Sequence, residues 1–137
     1  MCANDYVLGT HEEEIERLGL QHRIWRPLML NAWMKAGLTV GSRVVDFGAG
    51  PGYAALDAAE IVGVRGEVTA IERSPDFLDF ARRQFERRQI PWGRFVQADL
   101  DTQTDADELQ SEFRSLEKDT DAIMVTPLVV EIIAEKI

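Results

Sequence analysis

Short apolar blocks alternate along this chain with amphipathic ones, and together they predict strands and helices in turn. Residues 44–47, 67–72 and 94–97 are rich in β-branched or aromatic residues and follow turn residues, which is typical of buried strands. An alanine-rich helix is predicted over residues 53–62, and Ser74 followed by Pro75 indicates the start of another. This alternation predicts an α/β fold built on a mostly parallel sheet.

The first part of the chain is predicted to be helical in two pieces. Thr10 and Glu13 have the spacing of a capping box, and the helix they begin should end near Gly19. A second helix is predicted over residues 22–36, with Pro27 in its first turn or bending it. Its broad apolar set predicts a well buried helix, with both tryptophans in the core: Ile24, Trp25, Leu28, Met29, Ala32 and Trp33.

Composition narrows the class of protein. The 137 residues are enough for one domain, and the formal net charge of −9 argues against a nucleic-acid partner, since phosphate binding needs a basic face. The single cysteine, Cys2, excludes an internal disulfide, and no membrane span or signal peptide is apparent, so a cytoplasmic location is expected. Two histidines and one cysteine far apart do not form a zinc-binding pattern, and no metal is expected.

The chemistry is concentrated where the first strand ends. Gly48, Gly50 and Gly52 alternate there, which predicts a tight turn whose backbone approaches a ligand closely. A dinucleotide fingerprint, G-x-G-x-x-G, would need its third glycine at position 53, which is Tyr53. Asp46, two residues before the first glycine, would repel a pyrophosphate but attract a cationic ligand. S-adenosylmethionine is such a ligand.

The pattern D-x-G-x-G-x-G after an apolar strand resembles the cofactor motif of the class I S-adenosylmethionine-dependent methyltransferases, and the similarity covers roughly residues 6–100. It is nearest to small-molecule methyltransferases of the ubiquinone/menaquinone-biosynthesis type. The resemblance implies a Rossmann-like, doubly wound sheet over residues 38–137 and an N-terminal helical lid over residues 1–37. Lid residues that could touch the ligand are Tyr6, Gln21, His22 and Arg26.

Acids at successive strand ends extend this site. Glu72 lies about where a ribose-binding acid is expected after a glycine loop, with Arg73 and Ser74 beside it. Asp99 matches the position at which the resembled family binds the adenine amino group. The predicted cofactor-binding residues are Asp46, Gly48, Ala49, Gly50, Gly52, Glu72, Arg73, Ala98, Asp99 and Leu100.

The last part of the chain is strongly acidic between residues 101 and 121. Leu109, Phe113 and Leu116 predict a short amphipathic helix, and a fourth strand is expected over residues 121–125. Residues 128–136 read as a terminal helix after Thr126-Pro127, with a strand as the alternative.

About four strands fit into this length, against seven in a complete class I domain. A fragment, a natural minimal domain and a sheet completed by self-association through the C-terminal end all remain open, and we expect the isolated chain to self-associate or to be marginally stable.

Three functions follow from these residues. The favoured one is methyl transfer from S-adenosylmethionine to a small-molecule acceptor, with S-adenosylhomocysteine as product. The alternatives are a catalytically inert cofactor-binding module and, less favoured because of Asp46 and Tyr53, an NAD-dependent oxidoreductase. No catalytic residue is assigned. The helix predicted to begin at Pro75 carries four arginines, which we interpret as a solvent-exposed face: Arg82, Arg83, Arg87 and Arg88.

Overall fold

The computed structural model describes residues 12–99 and the backbone of residues 122–125. Helices and strands alternate after a long first helix, as the sequence predicts. The elements are α1 (Glu12–Ala36), β1 (Arg43–Phe47), α2 (Tyr53–Val62), β2 (Glu67–Glu72), α3 (Pro75–Arg87), β3 (Gly93–Gln97) and β4 (Ala122–Val125).

The strands form a parallel sheet in the order β3-β2-β1-β4. The strand order reverses at β1, which pairs with β2 on one side and with β4 on the other. In register, Asp46 lies beside Ala70 and Val125, and Glu72 lies beside Gln97. The carboxyl ends of these strands therefore meet at one edge, where open α/β sheets bind their ligands. The predicted α/β fold class is confirmed.

The main core lies between the sheet and its helices. Side chains alternate along a strand, so Val44 and Val68 share the helix-covered face with Ala70. Small residues on α2 allow that helix to lie close to the sheet. A second cluster covers the opposite face and contains Val45, Phe47, Ile71 and Ala98.

Helix α3 begins as predicted. The Ser74 hydroxyl accepts a hydrogen bond from the Phe77 backbone N–H at 3.3 Å, and Pro75 occupies the first turn. The four predicted inward residues, Phe77, Leu78, Ala81 and Phe85, are all buried. The predicted solvated arginine face, Arg82, Arg83, Arg87 and Arg88, is exposed.

Helix α1 differs from the prediction of two helices, because it runs without a break for 25 residues. Gly19 does not end it. A Cβ at that position would lie 2.8 Å from the Tyr53 hydroxyl oxygen, so glycine serves a close contact there. Pro27 lies inside the helix and does not interrupt it, although it removes one backbone donor.

The prediction that this helix is well buried is also wrong. Trp33 is buried at 2% exposure, as expected, but Ile24 is 67% exposed, Leu28 57% and Trp25 48%. The assignment of Trp25 to the core is therefore incorrect. Its apolar residues are spread around the helix, and the described neighbours cover one side of it.

Several predictions fall on residues outside the described part of the chain. They are the cap at Thr10, the lid residue Tyr6, the site residue Leu100, the helix around residues 109–116 and the terminal element at residues 128–136. The fourth strand is confirmed over Ala122–Val125. In the part of the chain that the structure describes, no helix has the length and apolarity needed to span a membrane.

Candidate cofactor site at the strand ends

The glycine loop follows β1 directly. Gly48, Gly50 and Gly52 have φ values of 63, 59 and 85°, in the region that side chains of L-residues rarely adopt. The loop is tied to the neighbouring strand, because the Ala49 N–H donates to the Ile71 carbonyl at 3.0 Å. The alternation of glycines is thus required by the backbone path.

Gly52 is also required by packing. It precedes α2 as the N-cap, and a Cβ there would lie 2.6 Å from the Cβ of Ala81 on α3. The start of α2 can approach α3 this closely because position 52 has no side chain. At Gly50, by contrast, a Cβ would meet no described residue within 4 Å, so the described part of the chain leaves open space beside that part of the loop.

Glu72 connects the loop to the next helix. Its Oε1 accepts a hydrogen bond from the Gly50 N–H at 3.0 Å, and its Oε2 accepts one from the Ser74 N–H at 2.8 Å. The residue is 4% exposed. Each carboxylate oxygen has a second lone-pair site, so these backbone bonds leave capacity for a ligand hydroxyl.

Asp46 lies in the interior at the end of β1. It is 2% exposed, and its Oδ2 has no hydrogen-bond partner among the described residues. Burial, and then the charge of Glu72, raise the pKa of Asp46 to about 8. An orphaned buried oxygen of this kind calls for an explanation, and a polar contact to a ligand would supply one.

The third strand end lies against the second. The Ala98 N–H donates to the Glu72 carbonyl at 3.2 Å, and Gln97 Nε2 donates to the Arg73 carbonyl at 3.3 Å. Arg73 Nη1 lies 4.0 Å from Asp99 Oδ2, with both side chains about one third exposed. The structure thus brings the residues predicted after β2 and β3 to one place.

The predicted site residues in the described part of the chain lie along this edge: Asp46, Gly48, Ala49, Gly50, Gly52, Glu72, Arg73, Ala98 and Asp99. Two partners were missed by sequence reasoning, namely the Ile71 carbonyl and the Ala81 side chain. Neither has a motif of its own. Of the predicted lid residues, His22 and Arg26 both contact Asp57, and Gln21 accepts a hydrogen bond from Arg17.

A model of a methyltransferase domain matches residues 44–123, which is more than half of the chain. The chain belongs to this family. The match begins in β1 and ends in β4, so it contains the glycine loop and the three strand ends described above. The resemblance to class I S-adenosylmethionine-dependent methyltransferases is thereby confirmed.

Individual relatives agree on the family and differ in the acceptor. The chain is 33% identical over 84 residues to a probable cobalt-precorrin-6B C(15)-methyltransferase (decarboxylating) of Sulfolobus acidocaldarius, covering 59% of this chain and 42% of that protein. It is 44% identical over 86 residues to a protein-L-isoaspartate O-methyltransferase of Pyrococcus horikoshii, covering 62% of this chain and 38% of that protein. The methyltransferase domain thus spans less than half the length of these curated relatives.

A solved structure supports the fold. A putative S-adenosylmethionine-dependent methyltransferase of Methanococcus maripaludis superposes with a TM-score of 0.54 at 16% identity. The superposition covers 69% of this chain and 44% of that one. At this identity the likeness concerns the fold alone, and it agrees with the Rossmann-like sheet described above.

Proposed function

We propose that this methyltransferase domain binds S-adenosylmethionine and its product S-adenosylhomocysteine at the edge where β1, β2 and β3 end. The observation that carries the proposal is the buried Asp46, whose Oδ2 has no hydrogen-bond partner among the described residues. Asp46 lies next to the glycine loop, and the charge of Glu72 acts on it. A cation beside Asp46 would lower the pKa of that carboxyl and favour its charged form, and this cofactor brings an ammonium and a sulfonium.

The shape of the loop supports the same ligand. Backbone at Gly48 and Gly50 takes positive φ values, and the space beside Gly50 is open, so a ligand can reach the main chain there. A pyrophosphate would bring further negative charge beside Asp46 and Glu72, the two acids next to the loop. An NAD-dependent oxidoreductase is therefore disfavoured.

The roles of the residues follow from their positions. The glycine loop would hold the amino-acid portion, Glu72 would accept from the ribose through its remaining lone pairs, and Asp99 would face the adenine. When bound, the cofactor supplies an activated methyl group for in-line displacement. The chain's own contribution is to orient it and to exclude water, which this reaction needs more than acid–base help. No residue is assigned to deprotonation of the acceptor.

We further propose a small molecule as the methyl acceptor. The sequence resembles small-molecule methyltransferases, and one relative is named for a precorrin. Another relative is named for protein L-isoaspartate, so a protein acceptor is the competing case. A methyl-transfer screen should therefore contain an isoaspartyl peptide beside the small acceptors, and transfer to the peptide alone would overturn this choice. Cofactor binding without transfer to any acceptor would favour the inert module.

Calorimetric titration tests the cofactor assignment. Glu72→Gln should weaken S-adenosylhomocysteine binding about ten- to hundredfold, because an amide nitrogen cannot accept the Gly50 or Ser74 N–H and a charge-assisted bond is lost. Glu67→Gln is the matched control, since Glu67 lies at the opposite end of β2 and pairs with Arg43 at 3.8 Å.

Two results would contradict the assignment. Unchanged affinity in Glu72→Gln would remove Glu72 from the site. Binding of NAD without binding of S-adenosylhomocysteine by the wild type would overturn the proposed function as a whole.

A further inference from the structure

Helix α1 meets α2 at two side chains that lie one turn apart, Tyr53 and Asp57. The Tyr53 hydroxyl donates to the Ile15 carbonyl at 3.1 Å, and its ring stacks on His22 with a centroid distance of 5.7 Å and an interplanar angle of 18°. Gly19 leaves room for the tyrosine, as described above. The tyrosine therefore lies against the backbone of α1.

Asp57 makes the polar half of this contact. Its Oδ2 lies 2.7 Å from His22 Nε2 and accepts a hydrogen bond from Arg26 Nε at 2.9 Å. The side chains of Asp57 and His22 are 13% and 16% exposed. Partial burial raises the pKa of Asp57, but the bonds from His22 and Arg26 outweigh it and hold that pKa below its usual value. Asp57 is thus a charged acceptor, which strengthens both bonds.

This contact replaces apolar packing. Leu20 and Ile24 in the amino-terminal half of α1 are more than half exposed. Ile15 and Leu18 are only partly buried, so this half of the helix gains little from burial of apolar surface. Segments with few buried apolar contacts open locally at low cost. The polar contacts that join this part of α1 to α2 come from Tyr53, Asp57, His22 and Arg26, a group that we call the α1 anchor.

The α1 anchor lies directly beside the glycine loop in the chain. Tyr53 is the first residue of α2 and follows Gly52, where a Cβ would lie 2.6 Å from the Cβ of Ala81, so this part of the loop has little room on the side of α3. A shift of Tyr53 also moves Gly52, because the two residues share a peptide bond. The next hydrogen bond back along the chain runs from the Gly52 N–H to the Ala49 carbonyl, at 3.1 Å.

We propose that the α1 anchor positions the glycine loop for its ligand, and that Asp57 is a positioning residue that acts through Tyr53 and the start of α2. The identity of the ligand rests on the function proposed above. The mechanical link between the α1 anchor and the glycine loop does not depend on that function. If docking of α1 favours binding, then binding must favour docking of α1 by the same factor.

Hydrogen exchange and calorimetry on one set of variants test this. Asp57→Asn keeps the shape and removes the charge; Arg26→Gln removes one donor at a half-exposed position and serves if Asp57→Asn fails to fold. Both should speed exchange at residues 12–26 and at the loop amides of Ala49, Gly50 and Gly52 without ligand. Both should weaken S-adenosylhomocysteine binding about fivefold or more. In the wild type, the ligand should slow exchange in α1, and this protection should shrink in the variants.

Glu67→Gln serves again as the matched control. It removes the ion pair with Arg43 at the amino-terminal end of β2, which lies outside the contact between α1 and α2. Exchange in α1 and in the loop should stay as in the wild type.

Two results would overturn the inference. Faster exchange in α1 with unchanged loop amides and unchanged affinity would show that the α1 anchor holds the helix alone. Unchanged exchange in α1 would show that it holds nothing. If the wild type fails to bind S-adenosylhomocysteine, the proposed function falls, while the exchange of the ligand-free loop still decides the mechanical link.

Discussion

Helices α1 and α3 are both rich in charged residues, but they attach to the protein in different ways. The 13 residues of α3 bury four side chains along one stripe, including Phe77 at 0% exposure. The 25 residues of α1 bury Trp33. The apolar residues of α3 recur on one face, so the sheet and α2 cover them together, whereas those of α1 point in several directions. The number of apolar residues in a helix therefore predicts its attachment less well than their arrangement.

Truncating one apolar residue in each helix should give the largest contrast. Phe77→Ala should cost about 3–5 kcal/mol, because it leaves a cavity in the core. Leu28→Ala should change the free energy of unfolding by less than about 0.5 kcal/mol, since that side chain is more than half exposed. Chemical denaturation measures both. A comparable loss in Leu28→Ala would mean that α1 is covered in solution and that the contrast is wrong.

Two glycines with similar backbones sharpen the comparison next. Gly52→Ala should cost about 2–4 kcal/mol, because a positive φ and a Cβ contact at 2.6 Å with Ala81 act together. Gly37→Ala, at the end of α1, has a φ of 93° but meets nothing within 4 Å, so strain alone should cost about 1–2 kcal/mol. Thermal melts would rank the two. Equal losses would show that the close approach of α2 to α3 adds nothing.

Asp46, at the end of β1, and Asp57, on α2, should affect the pH dependence of stability in opposite ways. The folded-state pKa of Asp46 is raised to about 8, so the folded protein binds more protons than the unfolded chain, and stability falls as pH rises from about 4 towards 8. The folded-state pKa of Asp57 is lowered, so its contribution is present at neutral pH and is lost as pH falls through that value.

Asp46→Asn tests the first half of this contrast. Relative to the wild type, it should gain stability as the pH rises, by about 3–4 kcal/mol between pH 5 and pH 8 at about 1.4 kcal/mol per pH unit, because no carboxylate then has to be buried. Denaturation series at several pH values measure the difference from the wild type. A wild-type profile that runs parallel to that of Asp46→Asn would show that Asp46 does not titrate in this range.

The strands, the glycine loop and the cap of α3 could be predicted because their signals are local. Ser74 and Pro75 mark a helix start within two residues, and the glycines at 48, 50 and 52 report a backbone path that few other residues can follow. The alternation of such segments was enough to predict the α/β class, since strands joined by helices pair in parallel.

The first helix and its anchor could not be predicted in the same way. Gly19 was expected to end a helix and Pro27 to begin or bend one. Gly19 instead allows a close contact with Tyr53, which is distant in sequence. His22 and Arg26 reach Asp57 across 35 and 31 residues, and no motif marks such a pair. Glu72 was predicted as a ligand contact, while its bonds to two backbone amides depend on how the strands line up. Contacts between elements are the part that local patterns omit.

The place of β4 in the sheet has a consequence for the order of folding. Strand β1 pairs with β2 and β2 pairs with β3, whereas β4 returns to β1 and sets Ala122 beside Arg43. Closing that long a loop costs more chain entropy than joining neighbouring strands, and non-local pairings of this kind slow folding. The segment from β1 to β3 can therefore assemble first, and β4 then adds to a sheet in which the carboxyl ends of β1, β2 and β3 already lie together.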